Sequence, residues 1–215
     1  YQTACGCTDI MMHTMERFFA YEKDNDVTDN IAIGILRAVK KNALILVKDP
    51  KNYNARAQIM WAGSLSHNSL TGCGIVGRGD WATHQLEHEL GGMFDVAHGA
   101  GLAAMWGSWA RYVCDALPAR FAQFAREVME VPATGDDMID ALAGIAAFEN
   151  LMHEIHMPTN LPELGVTATE QQIETLAYRC TYEHRRKIGY VKVLDESDIA
   201  NIYRMANQVP DPLFT

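Results

Sequence analysis

The chain has 215 residues, of which 48% are hydrophobic and 21% are charged, and its formal net charge is −9. This length suits one domain, or two small ones, with a full hydrophobic core, and the acidic balance argues against a nucleic-acid-binding protein, which needs basic clusters. No apolar run approaches the roughly 20 residues that span a bilayer, and no signal peptide is recognised before Asp9. The five cysteines, an odd number without C-x-x-C spacing, favour a reducing cytoplasm over a disulfide framework.

Apolar residues recur at helical spacing and are separated by short polar or proline-containing turns, which predicts an all-α fold. Thr28 or Asp29 can cap the second helix, Asp80 can cap the fourth, and Thr169 begins a capping-box sequence. Runs of period two are almost absent, so strands are expected to contribute little. The predicted helices cover about 9–21, 28–49, 55–70, 80–90, 99–114, 119–131, 136–156, 169–180 and 195–207.

Four side chains in two segments form a candidate metal site. Asp9 and His13 stand at i and i+4, on one face of a helix. His84 and His98 would lie about 21 Å apart along one straight helix. Gly91-Gly92 between them is predicted to end the first helix, so that a second helix beginning near His98 can return to the same point. Three imidazoles and one carboxylate suit a divalent ion such as Fe(II) or Zn(II), with room for a substrate oxygen.

Two shorter motifs compete for parts of this region. Residues 72–77 match G-x-G-x-x-G, with Asp95 near the distance expected of a ribose-binding acid. A helical run precedes them instead of a strand, so we interpret this segment as a connecting loop. Residues 84–88 also read as H-x-x-E-H, the inverted zinc-peptidase signature, in which His84 and His88 bind zinc and Glu87 activates water. That reading leaves Asp9 and His13 unused.

The other histidines, His67, His153, His156 and His184, are interpreted as surface or helix-end residues. Phe94, between the two ligand histidines, is the predicted substrate-contacting side chain. A domain that binds a metal without catalysing a reaction remains an alternative to an enzyme.

The sequence around the candidate ligands resembles that of a known protein family. The strings CGCTDIMMHTMERFF and GDWATHQLEHELGGMFDVAHGAGLAAMWGSWARYV resemble the iron-containing (group III) alcohol dehydrogenase family, most closely its NADH-dependent butanol dehydrogenase branch. The likeness continues through ENLMHEIHMPTNLPELGV and KIGYVKVLDESDIANIYRMA. It implies that Asp9, His13, His84 and His98 bind one Fe(II) or Zn(II). It also implies that His88 lies near the nicotinamide and the substrate and helps to position groups or move a proton.

The same resemblance implies a fold and a reaction. The fold is the multi-helix C-terminal domain of the dehydroquinate synthase-like/iron-containing alcohol dehydrogenase fold, spanning residues 1–215. The reaction is the reversible, NADH- or NADPH-linked conversion of a primary alcohol such as butanol to its aldehyde. Family members normally begin with an α/β dinucleotide-binding domain about as large as this whole chain. We therefore expect the chain to supply the metal site, the missing domain to supply the cofactor-binding residues, and the full enzyme to be a homodimer.

Overall fold

The computed structural model of the chain describes residues 1–21, 23–75, 77 and 79–208. Within these ranges the fold is all-α, as predicted, and the only β pairing is an isolated antiparallel bridge between Ile188 and Leu194. Val76 and Arg78, in the glycine-rich segment and its extension, and residues 209–215 lie outside the described ranges. The helices are α1 (Gln2–Phe19), α2 (Asp26–Lys48), α3 (Tyr53–His67), α4 (Ala82–Phe94), α5 (His98–Val113), α6 (Pro118–Glu127), α7 (Asp137–Glu154), α8 (Glu170–Cys180) and α9 (Glu196–Ala206), with short 3-10 turns at Leu70–Gly72 and Cys114–Ala116.

Some helix ends follow the predicted local chemistry and others do not. The capping box of α8 forms as predicted, with Thr169 and Gln172 each bonding the other's backbone N–H. The prediction for α2 is wrong, because that helix begins at Asp26 and its cap is neither Thr28 nor Asp29. The Asp29 carboxylate instead pairs with the buried Arg120 guanidinium through two bonds of 2.6 Å. A residue suited to capping is used here in a tertiary ion pair.

The predicted helix break at Gly91-Gly92 is also wrong. Helix α4 continues through both glycines to Phe94 and ends at Asp95, whose φ of 54° and ψ of 43° place it in the left-handed region. Three residues after Asp95 the chain enters α5 at His98. The turn that the metal-site hypothesis required is therefore present, but it lies three residues beyond the glycine pair.

Helix α5 forms the centre of the domain. Residues 99–110 are all buried, as expected for a helix that is apolar on every face. Small residues follow His98 in its first turn and let the neighbouring helices approach closely. A Cβ atom on Gly99 would overlap the backbone carbonyl oxygen of Cys5 in α1, and one on Gly101 would lie 2.8 Å from the Glu87 side chain in α4. The beginning of α5 is thus held between α1 and α4.

A cluster of fully buried aromatic side chains stabilises the far half of α5. Trp106 and Trp109 pack with Phe19 of α1 and with aromatic residues of α6 and α7, with ring centroids 4.4–6.5 Å apart. Such aromatic pairs stabilise the fold beyond the contribution of the apolar area that they bury.

No helix in the described part of the chain has both the length and the apolar character needed to cross a membrane.

Candidate metal centre

Three helices bring the four predicted ligands together around one oxygen of Asp9. Asp9 and His13 lie one turn apart on α1, His84 lies in the first turn of α4, and His98 is the first residue of α5. The Oδ1 atom of Asp9 is 3.6 Å from Nε2 of His13 and 3.5 Å from Nε2 of both His84 and His98. One carboxylate oxygen therefore faces three imidazole nitrogens at nearly equal distances.

These distances fit ligands that share a metal ion. A tetrahedral site with bonds of 2.0–2.2 Å separates its ligand atoms by about 3.3–3.6 Å, whereas an N–H···O hydrogen bond is usually about 2.7–3.2 Å long. Oδ1 of Asp9 and Nε2 of His84 are both buried and have no hydrogen-bond partner among the described residues. Buried polar atoms without partners are costly, and a divalent cation would satisfy both. The imidazole and carboxylate donors fit Zn(II) or Fe(II).

Two buried carboxylates orient the imidazoles from behind. Nδ1 of His84 donates to Oε2 of Glu16, and Oε1 of Glu16 accepts the backbone N–H of His84 at 3.1 Å. Nδ1 of His98 donates to Oε2 of Glu87. Both glutamates are almost completely buried. With each Nδ1–H committed to a carboxylate, Nε2 is the nitrogen of His84 and of His98 that faces Asp9, and it is the one left to bind an ion once its proton is displaced.

The charges of the cluster shift its pKa values strongly. Burial by itself would raise the pKa of the Asp9 carboxyl, but the imidazoles of His84 and His98 hold it far below its usual range. Burial opposes protonation of His84, yet Asp9 and Glu16 raise its pKa to about 9. Asp9 and Glu87 raise the pKa of His98 to about 10. Burial and the charge of His84 lower the pKa of His13 to about 3. The negative charges of Asp9, Glu16 and Glu87 thus favour a positive charge at the point where Asp9 faces the imidazoles. A cation site needs an electrostatic field of this sign.

His88 and Phe94 lie beside this cluster. His88 is exposed one turn after His84, and its ring stacks on that of His98 with centroids 5.6 Å apart. Burial and the charges of neighbouring imidazoles lower its pKa, although Glu87 opposes this. Phe94 is the last residue of α4 and is partly buried against the core. Their suggested roles in catalysis and substrate contact stay predictions.

The structure adds residues that the sequence analysis did not assign to the site. Glu16 had a detectable signal, because it follows Asp9 and His13 at i+7 and i+3 on the same helical face. Glu87 was considered only as the water-activating group of a peptidase, but its buried carboxylate is bonded to Nδ1 of His98. That bond argues against the H-x-x-E-H peptidase reading. The third residue is His67, which had been interpreted as a surface residue.

Comparisons with known proteins place the chain in a family. The model for the C-terminal part of the Fe-containing alcohol dehydrogenase family matches residues 3–207. NADH-dependent butanol dehydrogenase A of Clostridium acetobutylicum is 30% identical over 204 residues, which are 94% of this chain and 51% of that protein. NADPH-dependent aldehyde reductase YqhD of Escherichia coli is 34% identical over 166 residues, covering 77% of this chain and 42% of the relative.

A similar result comes from solved structures. NADH-dependent butanol dehydrogenase A from Thermotoga maritima superposes with a TM-score of 0.88 at 30% identity, covering 96% of this chain and 52% of that one. The chain spans about half the length of the curated relatives that it matches. The all-α fold and the resemblance found in the sequence are both confirmed. The chain belongs to the Fe-containing alcohol dehydrogenase family and corresponds to the C-terminal part of its members.

Proposed function

We propose that this chain supplies the metal site of an NAD(P)-linked alcohol dehydrogenase or aldehyde reductase that interconverts a primary alcohol, such as butanol, and its aldehyde. The observation that carries the proposal is the position of Asp9 Oδ1, 3.5–3.6 Å from three imidazole Nε2 atoms. The names of the relatives support the substrate class, since they include NADH-dependent butanol dehydrogenases and an NADPH-dependent aldehyde reductase.

Asp9, His13, His84 and His98 would hold the ion, which is Fe(II) or Zn(II). A divalent ion bound there supplies Lewis acidity to the oxygen of the alcohol or aldehyde. The protein's own groups set its orientation and charge. Asp9 neutralises part of the positive charge, while Glu16 and Glu87 keep two of the imidazoles in the tautomer that presents Nε2.

His88 is the proposed proton-handling group. Its exposed ring lies one turn from His84 and against His98, so an imidazole nitrogen of His88 can accept the alcohol proton during oxidation and return it during reduction. Phe94 is proposed to contact the carbon chain of the substrate. NADH or NADPH is proposed to bind through the N-terminal dinucleotide-binding domain of a longer, homodimeric protein, next to the exposed edge of the site that His88 and His98 form.

The first test measures metal and turnover together. The chain is loaded anaerobically with Fe(II), its metal content is determined, and NADH oxidation by butanal is followed. We expect about one ion per chain, lost in His84→Ala and retained in Glu149→Gln, which alters a carboxylate paired with Arg111 instead of with an imidazole. Absence of bound metal in the unsubstituted chain would contradict the proposal.

Turnover then locates the cofactor site. Metal binding without NADH oxidation is expected if the cofactor is bound by the N-terminal domain, and adding that domain should restore the reaction. Turnover by the chain alone would refute that location of the cofactor site. In a protein that turns over, His88→Ala should lower kcat with little change in metal content, and an unchanged kcat would exclude His88 as the proton carrier.

A further inference from the structure

His67, the last residue of α3, reaches the second oxygen of Asp9. Nε2 of His67 lies 3.3 Å from Oδ2 of Asp9, which is a long hydrogen bond, and its ring is tilted by 39° to that of His13 with centroids 4.0 Å apart. The two oxygens of the Asp9 carboxylate therefore have different partners. Oδ1 faces the Nε2 atoms of three histidines, whereas Oδ2 faces His67 alone among the described hydrogen-bonding groups.

The position of His67 is fixed by buried groups. The Arg17 guanidinium donates to the backbone carbonyl oxygens of His13 at 2.9 Å and of Ser66 at 2.6 Å. Arg17 and Ser66 are both buried. Arg17 therefore joins the end of α3 to the ligand-bearing turn of α1. Gly63, one turn before His67, allows this close approach, because a Cβ there would lie 3.3 Å from Ile10.

The contact with Asp9 determines which nitrogen of His67 must carry a proton. Nδ1 of His67 lies 2.7 Å from the Ser66 hydroxyl oxygen and 3.0 Å from the carbonyl oxygen of Gly63, and the Ser66 hydroxyl donates to the same carbonyl at 3.0 Å. An ionised carboxylate oxygen only accepts, so a hydrogen bond between Nε2 of His67 and Oδ2 of Asp9 requires the proton on Nε2. That N–H then points at Oδ2 of Asp9, and a hydrogen bond to an ionised acceptor is stronger than one between neutral groups.

We propose that His67 is a positioning residue for the metal centre. Its Nε2–H holds Oδ2 of Asp9 and so keeps Oδ1 turned toward the three imidazoles. This inference rests on the proposed function, because it concerns the same metal site. It assigns to His67 the role for Asp9 that Glu16 performs for His84, and it predicts that Asp9 binds the ion through one oxygen.

The test compares three variants in Zn²⁺ affinity, measured by competition with a chromophoric chelator. His67→Ala should weaken binding about tenfold, the lower end of the range for groups that orient metal ligands. His67→Gln should recover most of the affinity, since its amide N–H₂ can replace Nε2–H. His153→Ala is the matched control, because it removes a surface imidazole from a contact of 2.9 Å with a carboxylate, Glu163, outside the site. It should bind Zn²⁺ like the unsubstituted chain.

Two further readouts separate positioning from general stability. The thermal midpoint of the metal-free protein should be the same in His67→Ala and the unsubstituted chain, and Co²⁺ bound to His67→Ala should show altered visible bands. Unchanged Zn²⁺ affinity in His67→Ala would overturn the inference, as would equal losses in His67→Ala and His67→Gln. Failure of the unsubstituted chain to bind Zn²⁺ would overturn the proposed metal site itself, and this inference with it.

Discussion

Substituting Glu16 by Gln should damage the metal site although the two side chains have nearly the same size. Glu16 is fully buried and accepts two hydrogen bonds from the same residue, one from Nδ1–H and one from the backbone N–H of His84. Glutamine has one acceptor oxygen and one donor group, so it cannot accept both.

Either orientation of the new amide is unfavourable. If its oxygen accepts Nδ1–H, its N–H₂ group faces the backbone N–H of His84, donor against donor. If it is turned round, the N–H₂ group donates to Nδ1, which moves the imidazole proton to Nε2 and removes the lone pair that would bind the ion. A charge-assisted hydrogen bond contributes about 1.5–3 kcal/mol, so a loss near 2 kcal/mol corresponds to about 30-fold weaker binding.

Chelator competition with Zn²⁺ measures this loss directly. Glu149→Gln is the matched control, since both oxygens of Glu149 bond the Arg111 guanidinium and it is far along the chain from the ligands. We expect 10- to 100-fold weaker binding in Glu16→Gln, in the range for such orienting groups, and no change in the control. Equal affinities of Glu16→Gln and the unsubstituted chain would refute the argument that Glu16 selects the tautomer of His84.

Three further outcomes follow from the same geometry. Glu87→Gln should weaken Zn²⁺ binding by less than Glu16→Gln does, because Glu87 accepts only from Nδ1 of His98 and a glutamine oxygen can still accept that bond. A loss of affinity equal to or greater than that of Glu16→Gln in the chelator assay would contradict this. Gly99→Ala should lower the free energy of unfolding by about 3 kcal/mol, since the added Cβ overlaps the backbone of Cys5; an unshifted urea midpoint would be inconsistent with that approach of α1 and α5. The metal-free protein should lose thermal stability as pH rises above 6.5. In the folded chain His84 and His98 have pKa values of about 9 and about 10, so the stability that their protonation contributes disappears as pH rises through those values. Zn²⁺, which competes with those protons, should bind more tightly over the same rise, and thermal scans with chelator titrations at several pH values check both trends.

Spacing along α1 predicted that Asp9 and His13 lie together, although the sequence analysis did not assign Glu16 to the site. Asp9 and His13 share a face because they are four residues apart, and the same rule accounts for Glu16. The meeting of α1, α4 and α5 is a tertiary property that local spacing does not contain. His84 and His98 were joined to the first pair through a helix break that was placed wrongly at Gly91-Gly92, and through the family resemblance.

The glycines explain why the turn was placed wrongly. Paired glycines often end a helix, but Gly91 has another use here. A Cβ at position 91 would lie 3.1 Å from Oε1 of Glu87, and one at Gly101 would lie 2.8 Å from the same oxygen. The two small residues leave space for the carboxylate that orients His98. The rule that paired glycines end a helix considers only the conformational freedom of the backbone. At Gly91 and Gly101 what matters is that no side chain occupies the space of the Glu87 carboxylate.

His67 was missed for a related reason. Nothing near it in the sequence suggests a site, because its partner Asp9 is 58 positions away and the contact depends on how α3 packs on α1. The close approach at Gly63 and the two carbonyl bonds of Arg17 produce that packing. The proposed positioning residue thus depends on contacts between helices, while the proposed ligands lie in recognisable sequence motifs.

Burial divides the metal centre into a supporting side and an open side. Glu16 and Glu87 are enclosed within the domain, whereas the imidazoles of His88 and His98 are exposed. A Lewis-acid site needs both conditions, because its ligands must be held rigidly while one direction stays accessible to the substrate. The supporting side requires only the packing of α1, α4 and α5, which this chain contains. In the proposed function the reactants arrive at the exposed edge, so changes there should alter turnover while changes on the buried side alter metal affinity.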